Sequence, residues 1–155
     1  MEKFKALVVS NDSDGKFNSE VGEKTFQALP EGEVLVRVFY SSLNYKDALS
    51  ASGHKGITAR FPHTPGIDAA GVVESSKDSR FSVGEEVIVT SYDLGMNTSG
   101  GFGQYIRVPG DWVLRLPTGL SLRDSMILGT AGLTAAIALD ILLEHGLKQI
   151  GRAHV

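Results

Sequence analysis

Six short apolar runs bounded by turn residues precede one abrupt change of period at Pro117, and that order is the strongest restriction on how the chain can fold. The clearest run is 34–40. Alternation there puts Val34, Val36, Val38 and Tyr40 on one face and Leu35, Arg37 and Phe39 on the other, the period of a half-buried strand. Residues 5–10, 70–74, 85–91, 103–108 and 112–116 read as further strands, and Asn11-Asp12-Ser13-Asp14-Gly15 as a turn. Short strands at such spacing predict a mainly β barrel or sandwich. After Pro117 the pattern becomes helical: Ser121 with Asp124 resembles a capping box, 122–128 suit a short helix, and a second helix should follow Gly129. From 131 to 145 nearly every position is apolar except Thr134, Asp140, Glu144 and His145, and Gly146 stands where a left-handed cap belongs. Such a helix needs burial on most sides, so sequence beyond this chain is expected to cover it.

A length of 155 residues with 42% hydrophobic content supports one domain with a real core. Charged residues make up 21%, the net charge is −3, and no lysine or arginine run forms a phosphate-binding stripe, so nucleic acid is not an expected partner. The absence of cysteine excludes disulfides and thiolate metal sites and fits a reducing cytosol. The N-terminal apolar run is too short for a signal peptide's core, and no segment is expected to approach the roughly 18 apolar residues that cross a bilayer. At the other end, Ile150-Gly151-Arg152-Ala153-His154-Val155 is the translation of one frame of a common sequencing adapter (ATC GGA AGA GCA CAC GTC). The natural frame is therefore expected to stop near Lys148, with 150–155 a non-native tail on a fragment of a longer protein.

Five stretches in order carry a resemblance to a known family. They are Ser42-Leu43-Asn44-Tyr45-Lys46-Asp47-Ala48-Leu49, Phe61-Pro62 through Gly71, Ser79-Arg80-Phe81, Pro109-Gly110-Asp111-Trp112 and Gly129-Thr130-Ala131-Gly132. Residues 1 to about 148 resemble the N-terminal part of medium-chain dehydrogenase/reductases, closest to the YhdH/YhfP-type quinone oxidoreductases that include acryloyl-CoA reductases. The resemblance implies a GroES-like partly open β-barrel as catalytic domain over 1–120. It also implies that 121–149 open a Rossmann domain, otherwise missing, that binds NADPH. It further implies a cytoplasmic, homodimeric full-length enzyme that reduces an activated double bond or a quinone by hydride transfer. Where zinc-dependent alcohol dehydrogenases of this superfamily carry a cysteine and a histidine ligand, this chain has Asn44 and Ile67. An amide is a poor zinc ligand and an alkyl group is none, so no metal is expected.

The site residues follow from the same junctions. Asn44 and Tyr45 begin a short helix after the strand ending near Tyr40, and by resemblance this junction faces the nicotinamide. Tyr45 offers a neutral phenol to the nicotinamide-ribose part or to a proton relay, against the plainer reading of a tyrosine packed at a helix start. Asn44 can orient the cofactor amide or the substrate carbonyl, and can also serve as a helix cap. Asp68, beside the lost histidine position, is a catalytic candidate whose more ordinary role is a hydrogen bond to backbone or to Lys46. Thr130, at the start of the second helix, can contact the cofactor or simply cap its helix. Lys46 and Asp47 read as a local charge pair, His54 and His63 as surface residues without a role, and Trp112 as core. No G-x-G-x-x-G is present, and Gly100-Gly101-Phe102-Gly103 reads as a plain loop rather than a phosphate cradle. The chain alone is thus expected to bind NADPH weakly or not at all. It is also expected to be inactive and to associate through 131–145. A non-catalytic GroES-like binding module is the alternative.

Overall fold

The computed structural model of the protein describes residues 3–146, so the adapter-like tail at 150–155 and the boundary at 149 lie outside the described residues. Strands β1 (Lys3–Asn11) and β2 (Phe17–Thr25) form an antiparallel hairpin. Strands β3 (Val34–Tyr40), β4 (Asp68–Ser76), β5 (Glu86–Thr90), β6 (Tyr105–Val108) and β7 (Val113–Arg115) form a five-stranded antiparallel sheet in the order β6-β3-β4-β5-β7. Two helices flank them, α1 (Tyr45–Ala51) and α2 (Leu122–Glu144).

Alternation makes the sheet one-sided, so it curls around a single core. Val34 and Val36 of β3, Val73 of β4, Val89 of β5, Val108 of β6 and Val113 of β7 meet there, with Val38 half-buried at its edge. Tyr40 escapes the expected inward face because the pairing with β4 slips between Val38 and Tyr40, which leaves the residue 44% exposed. β6 and β7 end the sheet without pairing to each other, and β1 lies beside the loop before β6. Leu7 N–H donates to the Phe102 carbonyl (2.8 Å), and Val9 and His63 exchange two backbone bonds (2.7 and 2.8 Å). β2 had no signal in the sequence because none of its residues is fully buried; its register is set by pairing with β1, from Lys3 opposite Thr25 to Asn11 opposite Phe17.

α2 begins as expected. Ser121 accepts the Asp124 N–H (3.0 Å) and returns its hydroxyl to Asp124 Oδ2 (2.7 Å). The two helices expected on either side of Gly129 are continuous apart from a kink there, at φ 52° and ψ −160°. Counted together they correct one expectation: α2 is long and apolar enough, by length and composition, to cross a membrane. Only the first half is packed, through Ser125 and Met126, with Gly129 buried at the kink. Every residue from Leu133 to Gly146 is exposed, and Gly146 closes the helix at φ 87°. The unburied apolar second helix is therefore as the sequence implied.

Candidate active site

Beyond β3 the chain runs extended through Asn44, the N-cap of α1 (φ −128°, ψ 156°). The Asn44 N–H donates to Asp47 Oδ2 (2.8 Å), and Asp47 Oδ1 accepts from the N–H groups of Gly66 (3.1 Å) and Ile67 (3.0 Å). Asp47 is only 3% exposed. The expected Lys46–Asp47 charge pair is thus corrected: the carboxylate turns inward to three backbone donors, while Lys46 stays in solvent. Burial pushes the Asp47 carboxyl above the ordinary carboxylate range, against the pull of those donors.

Asp68, first residue of the central strand β4, is completely buried. Its Oδ2 accepts from Ser42 Oγ (2.5 Å), Asn44 Nδ2 (2.9 Å) and the Thr130 N–H (2.9 Å), and its Oδ1 from Thr130 Oγ1 (2.5 Å). Asn44 Nδ2 also donates to Ser42 Oγ (2.8 Å). All four groups on Asp68 are donors, so it acts there purely as an acceptor. The expected partners, backbone or Lys46, are partly corrected: one donor is the Thr130 amide, and the rest are side chains. Ser42 belongs to this cluster although sequence reasoning gave it no role. It stands two residues before Asn44 inside the stretch Ser42 to Leu49, which was the signal available.

The kink makes the cluster possible. A Cβ on residue 129 would lie 2.8 Å from Asp68 Oδ2 and 2.9 Å from Ser42 Oγ, and the backbone there sits in a region that only glycine enters readily. Thr130 can therefore present both its amide and its hydroxyl to Asp68. Three of the four expected site residues, Asn44, Asp68 and Thr130, are in one hydrogen-bonded cluster. The fourth, Tyr45, follows Asn44 directly and is 79% exposed, with no partner for its phenol among the described residues. An apolar cavity of about 280 Å³ lies between Ile88, Leu114, Leu120, Leu128 and Leu133 beside Gly129, but Asn44, Tyr45 and Thr130 do not line it.

The remaining stretches are structural. Gly100, Gly101 and Phe102 give their N–H groups to the carbonyls of Thr64, Gly66 and Pro65 (2.8, 2.8 and 3.0 Å), so three of this loop's four amides are already committed within the fold. Arg80 clamps Asp78 (2.6 Å) and Asp111 (2.7 Å), joining the stretch at 79–81 to that at 109–112. Trp112 is half-buried against the core rather than within it, its ring stacked on Tyr92 at 5.3 Å. His54 is exposed, as expected, but His63 is 6% exposed and its Nε2 meets the Gly95 carbonyl at 2.9 Å, correcting its reading as a surface residue.

Burial holds the His63 imidazole below its ordinary value of 6.5. The unfolded chain therefore takes up a proton near pH 6.5 while the folded chain resists, so His63 leaves stability intact above that pH and subtracts from it as pH falls below. Thermal midpoints measured from pH 8 to pH 5 should drop at the acid end in the parent chain and drop less in His63→Gln.

The open antiparallel sheet thus carries, at the head of its central strand, a buried acid that ties the start of α1 to the kink of α2. Residues 30–118 match the alcohol dehydrogenase GroES-like domain family, and the chain belongs to that family. The resemblance to medium-chain dehydrogenase/reductases and the mainly β, GroES-like fold are thereby borne out. The chain is 45% identical to the putative quinone oxidoreductase YhfP of Bacillus subtilis over 147 residues, 94% of this chain and 44% of that protein. It is 44% identical to the acrylyl-CoA reductase AcuI of Ruegeria pomeroyi over 145 residues, 93% of this chain and 44% of that one. The yhdH oxidoreductase of Salmonella enterica in complex with NADP superposes with a TM-score of 0.88 at 45% identity, covering 93% of this chain and 44% of that structure. The chain thus spans less than half the length of these relatives.

Proposed function

We propose that this chain is the catalytic part of an NADPH-dependent, zinc-independent oxidoreductase that reduces the double bond of an acryloyl-CoA-like enoyl thioester, or a quinone. Residues 1–120 form its catalytic domain and 121–149 begin its nucleotide-binding domain. The complete protein is a cytoplasmic homodimer acting on small molecules. The observation that carries this reading is the joining of Asn44 to Thr130 through Asp68, beside an exposed tyrosine and across a kink that only glycine allows. It is supported by relatives named as quinone oxidoreductase and acrylyl-CoA reductase and by a structure holding NADP.

The residues present fit the nicotinamide end of the cofactor. Asn44 and Thr130 retain acceptor oxygens at the helix start, and Tyr45 adds a solvent-facing phenol. When bound, NADPH supplies the hydride to the β-carbon. Tyr45 is placed to hydrogen-bond the ribose or pass a proton, and Asn44 to hold the ring's orientation.

The complete reading frame, expressed, should oxidise NADPH with acryloyl-CoA or a quinone, and the 155-residue chain alone should not. Asn44→Ala and Tyr45→Phe should each lower kcat/KM about tenfold, the worth of one well-placed hydrogen bond. Normal turnover in both variants would defeat the site assignment. A complete protein that leaves NADPH untouched with either substrate class would favour a non-catalytic binding module.

A further inference from the structure

We propose that Lys24, Thr64 and Ser99 form a binding site for a small monovalent anion of the halide class. The site shares no residue with the cluster around Asp68, and it stands or falls independently of the reductase reading.

The register of the β1–β2 hairpin turns Lys24 into the molecule. Directly opposed residues of antiparallel strands carry their side chains on one face, so Lys24 opposite Phe4 and Gly22 opposite Ala6 share the face of two buried core residues. A lysine there must hold its ammonium within the fold or stretch back to water. It is held within: Nζ donates to Ser99 Oγ (2.7 Å) and Thr64 Oγ1 (3.2 Å), which joins β2 to the loops before β4 and β6. Neither hydroxyl carries charge. The ion pairs among the described residues do not include Lys24, and burial pulls its amine below the ordinary lysine range with no carboxylate acting the other way. Asp93 is felt at His63, where the charge of Lys24 opposes it, but not at Lys24 itself.

A desolvated cation is costly in a fold unless a counter-charge meets it. Lys24 has none, and it has two acceptors for the three protons of an ammonium. Those two acceptors are also donors. Among the described residues the hydroxyl protons of Thr64 and Ser99 have no acceptor of their own, although Thr64 is only 1% exposed. One ammonium N–H and two O–H groups are therefore left beside a single positive charge. Another hydroxyl or a carbonyl would take up protons and leave the charge, whereas a monovalent anion answers both. Lys24 and Ser99 are half-buried rather than sealed, which gives the anion a way in from solvent.

Chloride is the probe, used on the 155-residue chain. Added protein should broaden the chloride NMR line, and bromide should reverse the broadening by displacement. Replacing gluconate by chloride at constant ionic strength should also raise the thermal midpoint by about 3 °C. Lys24→Met, which keeps the length of the side chain and removes its charge, should abolish both effects, while Lys55→Met at an exposed lysine should keep them. Ser99→Ala should weaken the apparent chloride affinity about tenfold, the worth of one hydrogen bond to a charged group. Absence of either effect in the parent overturns the proposal and leaves Lys24 as an inward charge that guards the edge strand β2 against pairing. Effects that survive Lys24→Met overturn it too, since the anion then sits elsewhere. Should Lys24→Met fail to fold, Ser99→Ala decides, and an unchanged affinity there overturns the proposal.

Discussion

Gly129→Ala should lower the stability of the chain by about 4 kcal/mol and release Thr130 from Asp68. Two effects add, and both are local. A residue with a side chain at φ 52° and ψ −160° carries backbone strain of about 1–3 kcal/mol. The new methyl must also displace Asp68 Oδ2, 2.8 Å away, or Ser42 Oγ, 2.9 Å away. Moving the carboxylate leaves buried donors unsatisfied, at about 1–3 kcal/mol each. For a chain of this size the thermal midpoint should fall by about 8–16 °C. Urea unfolding gives the magnitude, and the Thr130 amide resonance should move toward its random-coil position. A variant melting within about 2 °C of the parent would mean that the kink is not held by this contact.

Asp47→Ala should be nearly as damaging, at about 3 kcal/mol, whereas Asp47→Asn should cost only about 1 kcal/mol. The contrast separates charge from hydrogen bonding. Burial lifts the Asp47 carboxyl above its ordinary range, so its charge is a net cost to the folded state. Its oxygens are a net gain, because they accept from Asn44, Gly66 and Ile67. Asparagine keeps an acceptor for Gly66 and Ile67 and loses only the Asn44 bond, while alanine strips all three. Because the folded-state value is raised, the parent chain should also lose a little stability as pH rises through the window just above the carboxylate's ordinary 3.8, a slope absent from Asp47→Asn. Denaturant titrations of both variants at pH 4 and pH 7 measure this. Equal losses in the two would show that charge, not acceptance, is what Asp47 contributes.

The elements that the sequence made legible were those with an internal period or a local cap. β3 announced itself by alternation, and α2 by Ser121 at its start and Gly146 at its end. β2 did not, since a strand with no fully buried residue has no period to read. The same division runs through the site. Asn44 and Thr130 were found through resemblance and the helix starts they occupy, but their common partner was not. The bonds from Asp68 to Asn44 and Thr130 span 24 and 62 residues, distances at which spacing carries no information. Asp47 had a local signal, an acid three residues after an N-cap asparagine. Its neighbour Lys46 offered a simpler explanation that proved wrong. His63 had none, because a single histidine without a pattern reads the same buried or exposed.

The 62 residues between Asp68 and Thr130 also set an order of events during synthesis. A ribosome adding about 5–20 residues per second needs roughly 3–12 s to go from one to the other. Once Ser76 has been added both β3 and β4 are complete, yet until Thr130 follows the carboxylate at the head of β4 lacks two of its four donors. This corner of the molecule therefore sets last, and a nascent chain paused before Gly129 would hold a formed sheet with an open, water-filled acid at its centre.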